Sequence, residues 1–569
     1  MAHKAAEGQP MAEQQPVSRR PARIERPELR FVLVVTAVIL LLTTVPYIYA
    51  YVTSPPDRVF MGIMLDVPDT AQYFSWMRGS IDGFLIPNRM TPEPNPAIFF
   101  NLLWWILGRL SALLGVGLAP VFQGFRIVAG ALYLPAVYAF CALMMESPRR
   151  RKVAFLLITL SSGFGWVLVV GKYLTGTLLY PLDIYLPEPN SFLSILAFPH
   201  FVISVFLMLV IFSLFIIGAR QGRLVYGVIA GLVGLVLGLE HAYDLLAVYA
   251  VLAAYTALVG LRRRAIPWLE VKGWGLIVLL SCTPAFYFAY LTTQDPIWSR
   301  VLDQFVNAGV FTPDPFHLII LLGLMFLVAV LTFDGLTPLQ EQREEDLFLK
   351  AWFLVGFLLI YLPLEYQVHF LSGWQIPIGM LATVGLYRRI IPVLEESQLL
   401  RRLAAKLKRQ LPGLAAVVLI LAVLPTNLYL FAWRFVDLGR YDYPFYLHRD
   451  EVVALEWLDT NTSPDAVVLS SLTVGQYVPP LAGNTAFLAH WAQTVDFYNK
   501  QERVARFFDA EASDAERAET LRTFGVDYVF HGPAERDLGA FDPATVPWLT
   551  ISFSTDAAQV YRVERDELP

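Results

Sequence analysis

Residues 65–110 read LDVPDTAQYFSWMRGSIDGFLIPNRMTPEPNPAIFFNLLWWILGRL. The stretch begins polar, with Asp66, Asp69, Asp82 and Glu93 spread among prolines, and passes into an apolar run over 97–117. On either side lie runs 31–52 and 122–145, each long enough to cross about 30 Å of hydrocarbon. Whether 97–117 also crosses decides which membrane face every later segment meets. A crossing would put the string Pro148-Arg149-Arg150-Arg151-Lys152 outside, against the preference of basic loops for the cytoplasm. Laid flat on the outer face as a juxtamembrane helix, the run leaves that string inside.

Working outward, further runs of spanning length fall at 152–172, 197–217, 224–240, 243–261, 274–292, 315–333, 350–365, 371–388 and 411–432. The chain is thus expected to be a polytopic α-helical membrane protein of about 11 spans, with its N-terminus inside. Arg and Lys placement tests this: of 43 such residues, 25 fall in the expected inner segments, 7 in the outer loops and 11 after the last span. That asymmetry supports the orientation. Residues 1–30, polar and Arg-containing, read as a disordered cytoplasmic tail. Residues 31–432 form the membrane body, with an outer loop over 53–121. After it, 433–569 read as a small extracytoplasmic α/β domain, with short strands at 466–470, 527–530, 549–553 and 559–563. Helical spacing with many charges covers 495–521.

Composition agrees. Of the 569 residues 56% are hydrophobic and 16% charged, which excludes a soluble enzyme and a disordered chain. A formal net charge of −5 gives no reason to expect a nucleic-acid partner. Two cysteines, both inside apolar runs, exclude a disulfide framework and a Cys-based metal site. No Walker motif or GxGxxG occurs, so nothing points to ATP or a dinucleotide.

The ionisable residues gather on the outer side. Besides the acids of the first loop, Asp183 and Glu188 lie in 173–196, and His200 follows in PEPNSFLSILAFPHF. The hinge LGLEHAYDLL brings Glu240, His241 and Asp244 together, and the turn after 364 supplies Glu365, Tyr366 and His369. Ionisable groups at membrane depth are costly and usually functional. Carboxylates and imidazoles collected at one face suit a polar, phosphate-bearing headgroup.

The 65–110 string resembles the first outer loop of the GT-C glycosyltransferases, among them the protein O-mannosyltransferases and the lipid A aminoarabinose transferases. An Asp four positions before a Tyr matches Asp69 and Tyr73. A Gly-containing polar turn matches Ser80-Ile81-Asp82-Gly83, and the Pro-rich lead into the juxtamembrane helix matches Thr91-Pro92-Glu93-Pro94. Arg126 also fits the pattern. The resemblance implies a polyprenyl-phosphate-linked sugar donor, a lipid, glycan or protein acceptor, inversion at the anomeric carbon and a place in the plasma (inner) membrane. It adds to the position of Asp69 as general base, while Asp66 either assists or simply ends a turn with Pro68. The plainer reading of Asp69 is a cap on a helix starting at Thr70. Glu93, His200, Glu240, His241 and His369 are candidates for the donor phosphate or a divalent metal, and each His also suits a helix end. The spacing leaves the metal open. Arg126 and Arg300 are alternative phosphate partners, or snorkel to the interface. A transporter or flippase for a lipid-linked saccharide is the second functional reading. It would place charge at mid-membrane and show repeat symmetry, and the sequence has neither.

Overall fold

The computed structural model describes residues 23–177, 182–308, 312–333, 335, 337–364, 366–407 and 410–569. Glu365 and the tail as far as residue 22 lie outside the described residues. The first helix runs Arg26–Thr53, so residues 26–30, expected in the tail, are helical. The reason is local: Pro27 suits a first helical turn, and Glu28 accepts the backbone N–H of Glu25 at 3.0 Å. Glu28 is also buried against Arg151, 3.0 Å away, and accepts from the Tyr138 hydroxyl at 2.5 Å.

Each apolar run is largely helical over its described residues, with a break at 161–164 and non-helical turns at 331–333 and 360–364. Among the described residues, Arg26–Thr53, Leu118–Met144, Pro199–Gln221, Asp244–Arg263 and Gln367–Glu396 are long and apolar enough to cross a membrane. Three bent pairs raise that number to eight if each is one span: Pro148–Leu160 with Gly165–Thr175, Trp268–Ser281 with Thr283–Gln294, and Leu411–Ala422 with Pro425–Leu438. Val225–Glu240, Pro315–Val330 and Glu344–Leu359 are shorter. The first and third bends lock together: Ser162 donates its N–H to the Val423 carbonyl at 2.8 Å, and Asn427 donates to the Leu160 carbonyl at 2.9 Å. The run at 97–117 yields only Leu102–Leu114, 13 residues or about 20 Å, too short to cross.

Strand β1 (Arg58–Phe60), just after the first helix, pairs antiparallel with β2 (Tyr446–His448), just after the last one. Beyond them β3 (Val467–Leu469), β4 (Thr485–Ala486), β5 (Val526–His531), β6 (Leu549–Ser554) and β7 (Gln559–Val563) form one sheet, in the order β4-β3-β5-β7-β6. Strand β3 lies parallel to β4 and β5, while β7 is antiparallel to β5 and β6. Helices Arg449–Asn461, Phe497–Phe508 and Asp514–Phe524 accompany the sheet. The first loop is the filling between sheet and bundle. Ile63, Phe74, Met77 and Trp104 share one buried cluster with Leu447, Leu455, Val468, Tyr477 and Phe530. That layer carries the site.

Candidate active site

Asp66 and Asp69 stand at the start of helix Val67–Asp82. Asp66 occupies the N-cap position with φ +46°, a left-handed conformation that an L-residue adopts at a cost, and its side chain makes no cap hydrogen bond. Pro68 presets the first turn. The helix begins three residues before Thr70, so Asp69 does not cap it. Asp69 instead lies inside the first turn, where the helix dipole favours its negative charge.

One oxygen of Asp69 is held from the sheet side: Oδ1 lies 2.9 Å from His490 Nε2. The His490 ring is sealed, and its Nδ1 accepts the backbone N–H groups of Ala492 at 3.0 Å and Gln493 at 3.2 Å. Two donors at Nδ1 leave that nitrogen without a proton, so Nε2 carries the hydrogen and donates it to Asp69. The turn holding His490 is clamped to the first loop. Thr494 Oγ1 accepts from the Ala489 and His490 amides and donates to the Met90 carbonyl at 2.6 Å. Asn88 donates to the Gln493 carbonyl at 2.9 Å.

Tyr73 follows Asp69 by one helical turn. Its ring stacks on Trp104 with centroids 4.5 Å apart, and its hydroxyl lies 3.4 Å from His200 Nε2. Behind His200, three acid pairs close the wall. His241 Nδ1 is 2.7 Å from Asp244 Oδ2, His369 Nδ1 is 2.8 Å from Glu188 Oε1, and Ser204 donates to Glu240 Oε2 at 2.7 Å. Tyr243 joins its hydroxyl to His241 Nε2 and stacks on His369, centroids 5.1 Å apart. The rings of His200 and His241 are 5.8 Å apart. Burial pushes the Tyr73 phenol well above its ordinary pKa, and the charges of Asp69, Asp66, Glu188 and Glu240 push the same way, so these groups share one electrostatic environment. Asp66 is open to solvent, yet protein crowds it enough to raise its carboxyl well above the usual range, with Asp69 adding to the rise. Glu188 Oε2, Glu240 Oε1, Asp244 Oδ1 and His200 Nδ1 are buried and have no hydrogen-bond partner among the described residues.

Of the residues singled out in the sequence, Asp66, Asp69, His200, Glu240, His241 and His369 come together here. Glu93 does not join the imidazoles: its Oε1 is 2.5 Å from Lys500 Nζ, and Thr91 donates to its other oxygen. Arg126 is a buried strut, donating to Gln123, Thr43, Thr44 and the Ile195 carbonyl, with its guanidinium 4.7 Å from the centre of the Tyr47 ring. Arg300 is mostly exposed, 3.7 Å from Asp496. Among the described residues no three His, Cys, Asp or Glu side chains are placed to hold one metal ion. His241 and His369 each hold a carboxylate at Nδ1, the partner that orients a histidine whether or not its Nε2 meets an ion. His490 belongs to the site without having been singled out. The sequence offered only the string HWAQTVDFY at 490–498, and nothing in it announces a partner 421 residues away.

No protein-family model matches the chain, and no curated protein matches it in sequence. Solved structures do match in shape. A crystal structure of the Archaeoglobus fulgidus oligosaccharyltransferase tethered to an acceptor peptide with the NVT sequon aligns with a TM-score of 0.55 at 13% identity, over 95% of this chain and 74% of that one. The same organism's oligosaccharyltransferase AglB, in complex with an inhibitory peptide and a dolichol-phosphate, gives 0.53 at 12% identity, over 96% and 75%. The mycobacterial arabinofuranosyltransferase AftD gives 0.50 at 15% identity, over 95% of this chain and 40% of that one. The chain shares the fold of these solved oligosaccharyltransferase and arabinofuranosyltransferase structures.

Proposed function

We propose that this protein is a glycosyltransferase that moves a sugar from a polyprenyl-phosphate donor to an acceptor hydroxyl at the extracytoplasmic membrane face, with Asp69 as general base. The observation that supports this best is the accessible pair Asp66 and Asp69 beside Tyr73, whose phenol also feels Glu188 and Glu240, within a fold shared with transferases whose solved structures include a dolichol-phosphate complex. In this reading eleven helices or bent helices cross the membrane. Residues 31–432 form the body, 53–121 its outer loop and 433–569 an outer domain, with the N-terminus inside.

The chemistry asks little acid and one base. The acceptor oxygen attacks the anomeric carbon as its bond to the phosphate oxygen breaks, and inversion follows from attack on the opposite face. The bonding pair leaves with the phosphate, which departs ionised and needs no proton. The acceptor proton goes to Asp69. Asp66, whose carboxyl is pushed well above the usual range by desolvation and by the neighbouring Asp69, sits beside it.

The test is transfer by the purified protein in lipid nanodiscs, supplied with labelled polyprenyl-phosphate hexoses and pentoses and with envelope lipids and glycans as acceptors. Wild type consumes one donor. Asp69→Asn slows transfer by about 10²–10⁴, the usual contribution of a positioned base, while Asp66→Asn stays within about tenfold of wild type because the acceptor proton goes to Asp69. Full activity in Asp69→Asn refutes the assignment.

A further inference from the structure

We infer that His490 is a positioning residue: the sheet side of the molecule completes the site by fixing the Asp69 carboxylate through its Oδ1. The inference rests on Asp69 acting as the base and adds what holds it in place.

The geometry is restrictive. A free Asp side chain rotates about two bonds and offers either oxygen. Here Oδ1 accepts the Nε2 hydrogen of His490 at 2.9 Å. That hydrogen cannot move to the other ring nitrogen, because the Ala492 and Gln493 amides already point at Nδ1. Nor can the ring take a second proton without turning those donors against an N–H. His490 is therefore a neutral, one-way donor and not a proton relay, unlike an imidazole whose two nitrogens are both free to exchange.

The ring is also held firmly. It has 1% of its side chain exposed, and the turn around it is gripped from a third segment. Gln304 donates to the carbonyls of Ala492 at 2.8 Å and Thr494 at 2.9 Å, and Asn307 donates to that of Trp491 at 3.0 Å. Three stretches distant in sequence converge to aim one N–H. A hydrogen bond donated to a carboxylate favours its ionised form. Asp69 thus has support for its charge from His490, against Asp66 and Tyr73 on its own helix, which face it with an acid and a phenol.

His490→Asn provides the test. Its side-chain oxygen reaches where Nδ1 stood and still accepts the Ala492 and Gln493 amides, so the turn keeps its bonds, but nothing reaches Asp69. In nanodiscs with the donor that wild type consumes, kcat falls about 10- to 100-fold, the range for losing a hydrogen bond to a charged group. KM stays within about threefold, since the donor is not touched. His490→Gln, whose amide N–H reaches as far as Nε2, recovers to within about fivefold of wild type. Asp69→Asn combined with His490→Asn is no slower than Asp69→Asn alone, because both changes remove one function. Wild-type kcat in His490→Asn, with Asp69→Asn still slow, overturns the inference and leaves the proposed function standing. If His490→Asn melts early, a His490→Gln as slow as Asp69→Asn overturns it as well. An active Asp69→Asn overturns the function itself.

Discussion

Glu535 has no exposed surface, and its two oxygens accept one backbone N–H each, from Ser471 and from Gly532, both at 2.8 Å. No arginine or lysine is among these partners, and Glu451, equally buried, adds a second negative charge nearby. Burial, ahead of Glu451, pushes the Glu535 carboxyl up to about 7. The folded state then binds a proton that the unfolded chain, ionising near about 4.3, has already lost. Wherever the folded state holds more protons, stability falls as pH rises. The contribution of Glu535 is therefore complete below about pH 4.3 and is lost as pH rises through about 7, by up to about 1.4 kcal/mol per pH unit in between. Melting temperatures read at pH 5, 6, 7 and 8 are expected to fall more steeply for wild type than for Glu535→Gln, whose side chain does not titrate. Parallel curves for the two proteins would remove Glu535 as the cause. This carboxyl could not be read as special from the sequence, where it is one acid among many in a charged C-terminal segment. Its environment is made by backbone amides 64 residues upstream and three residues upstream, and the first of those is a tertiary fact.

Helix Leu102–Leu114 is where local sequence and function meet most directly. Asn101 caps it, accepting from the Leu103 and Trp104 amides at 3.1 and 3.3 Å, and ties it to the bundle by donating to the Glu240 carbonyl at 2.7 Å. Trp104 then backs the Tyr73 ring, while Ile106, Leu110, Leu113 and Leu114 face outward as an exposed apolar edge. Close approach to helix Val67–Asp82 is possible because position 108 has no Cβ: one placed there would lie 2.2 Å from the Met77 carbonyl oxygen. Gly108→Ala must push the two helices apart, at about 1–3 kcal/mol, and carries Trp104 away from Tyr73. A lower melting temperature together with slower transfer is the expected result. Gly124→Ala, in the neighbouring helix and with open space around it, is the control and should match wild type or exceed it slightly. Equal behaviour of the two variants would contradict the packing argument. At this scale the sequence is informative where run length or strand-forming residues carry the signal. Spanning runs are long, and Gln559–Val563 is a strand over the residues expected. The bends inside 274–292 and 411–432 were foreshadowed by Pro284 and Pro425, whereas the break at 161–164 has no proline and depends on the Val423 carbonyl it meets. Strand β4 is two residues long and β1 three, too short for any periodicity, and they exist because partners far along the chain complete them.

At the scale of the molecule, the acids and imidazoles of the site could be listed from the sequence, but not assembled. Their grouping required only that apolar helices bring loop ends to one face, which charge counting anticipates. The link from Asp69 to His490 needed the sheet to be set down on the first loop in one register, and no pattern in either segment encodes that. What fixes the register is a small set of contacts: the β1–β2 pairing, the Arg78–Asp459 ion pair, and Glu93 with Lys500. Lys500 is the strongest single peg, 1% exposed, donating to Glu93 and to the Val495 carbonyl at the end of the turn that carries His490. Lys500→Met keeps the packed stem but leaves Glu93 and that carbonyl without their donor. Because Glu93 retains 23% exposure, the loss should fall short of the about 3–5 kcal/mol of a fully buried pair. Hydrogen exchange is the discriminating measurement. It is expected to quicken at 88–95 and 489–500 while helix Pro199–Gln221 keeps wild-type protection, with transfer slowed because Asp69 loses its fixed partner. Asp465→Asn breaks the contact between Arg89 and an 89% exposed carboxylate and should change neither readout, as surface pairs contribute little. Quicker exchange throughout the bundle in Lys500→Met would mean that the peg supports the whole fold. Exchange unchanged at 489–500 would mean that the turn is held without it, and that Gln304, Asn307 and Thr494 alone aim His490 at the acid.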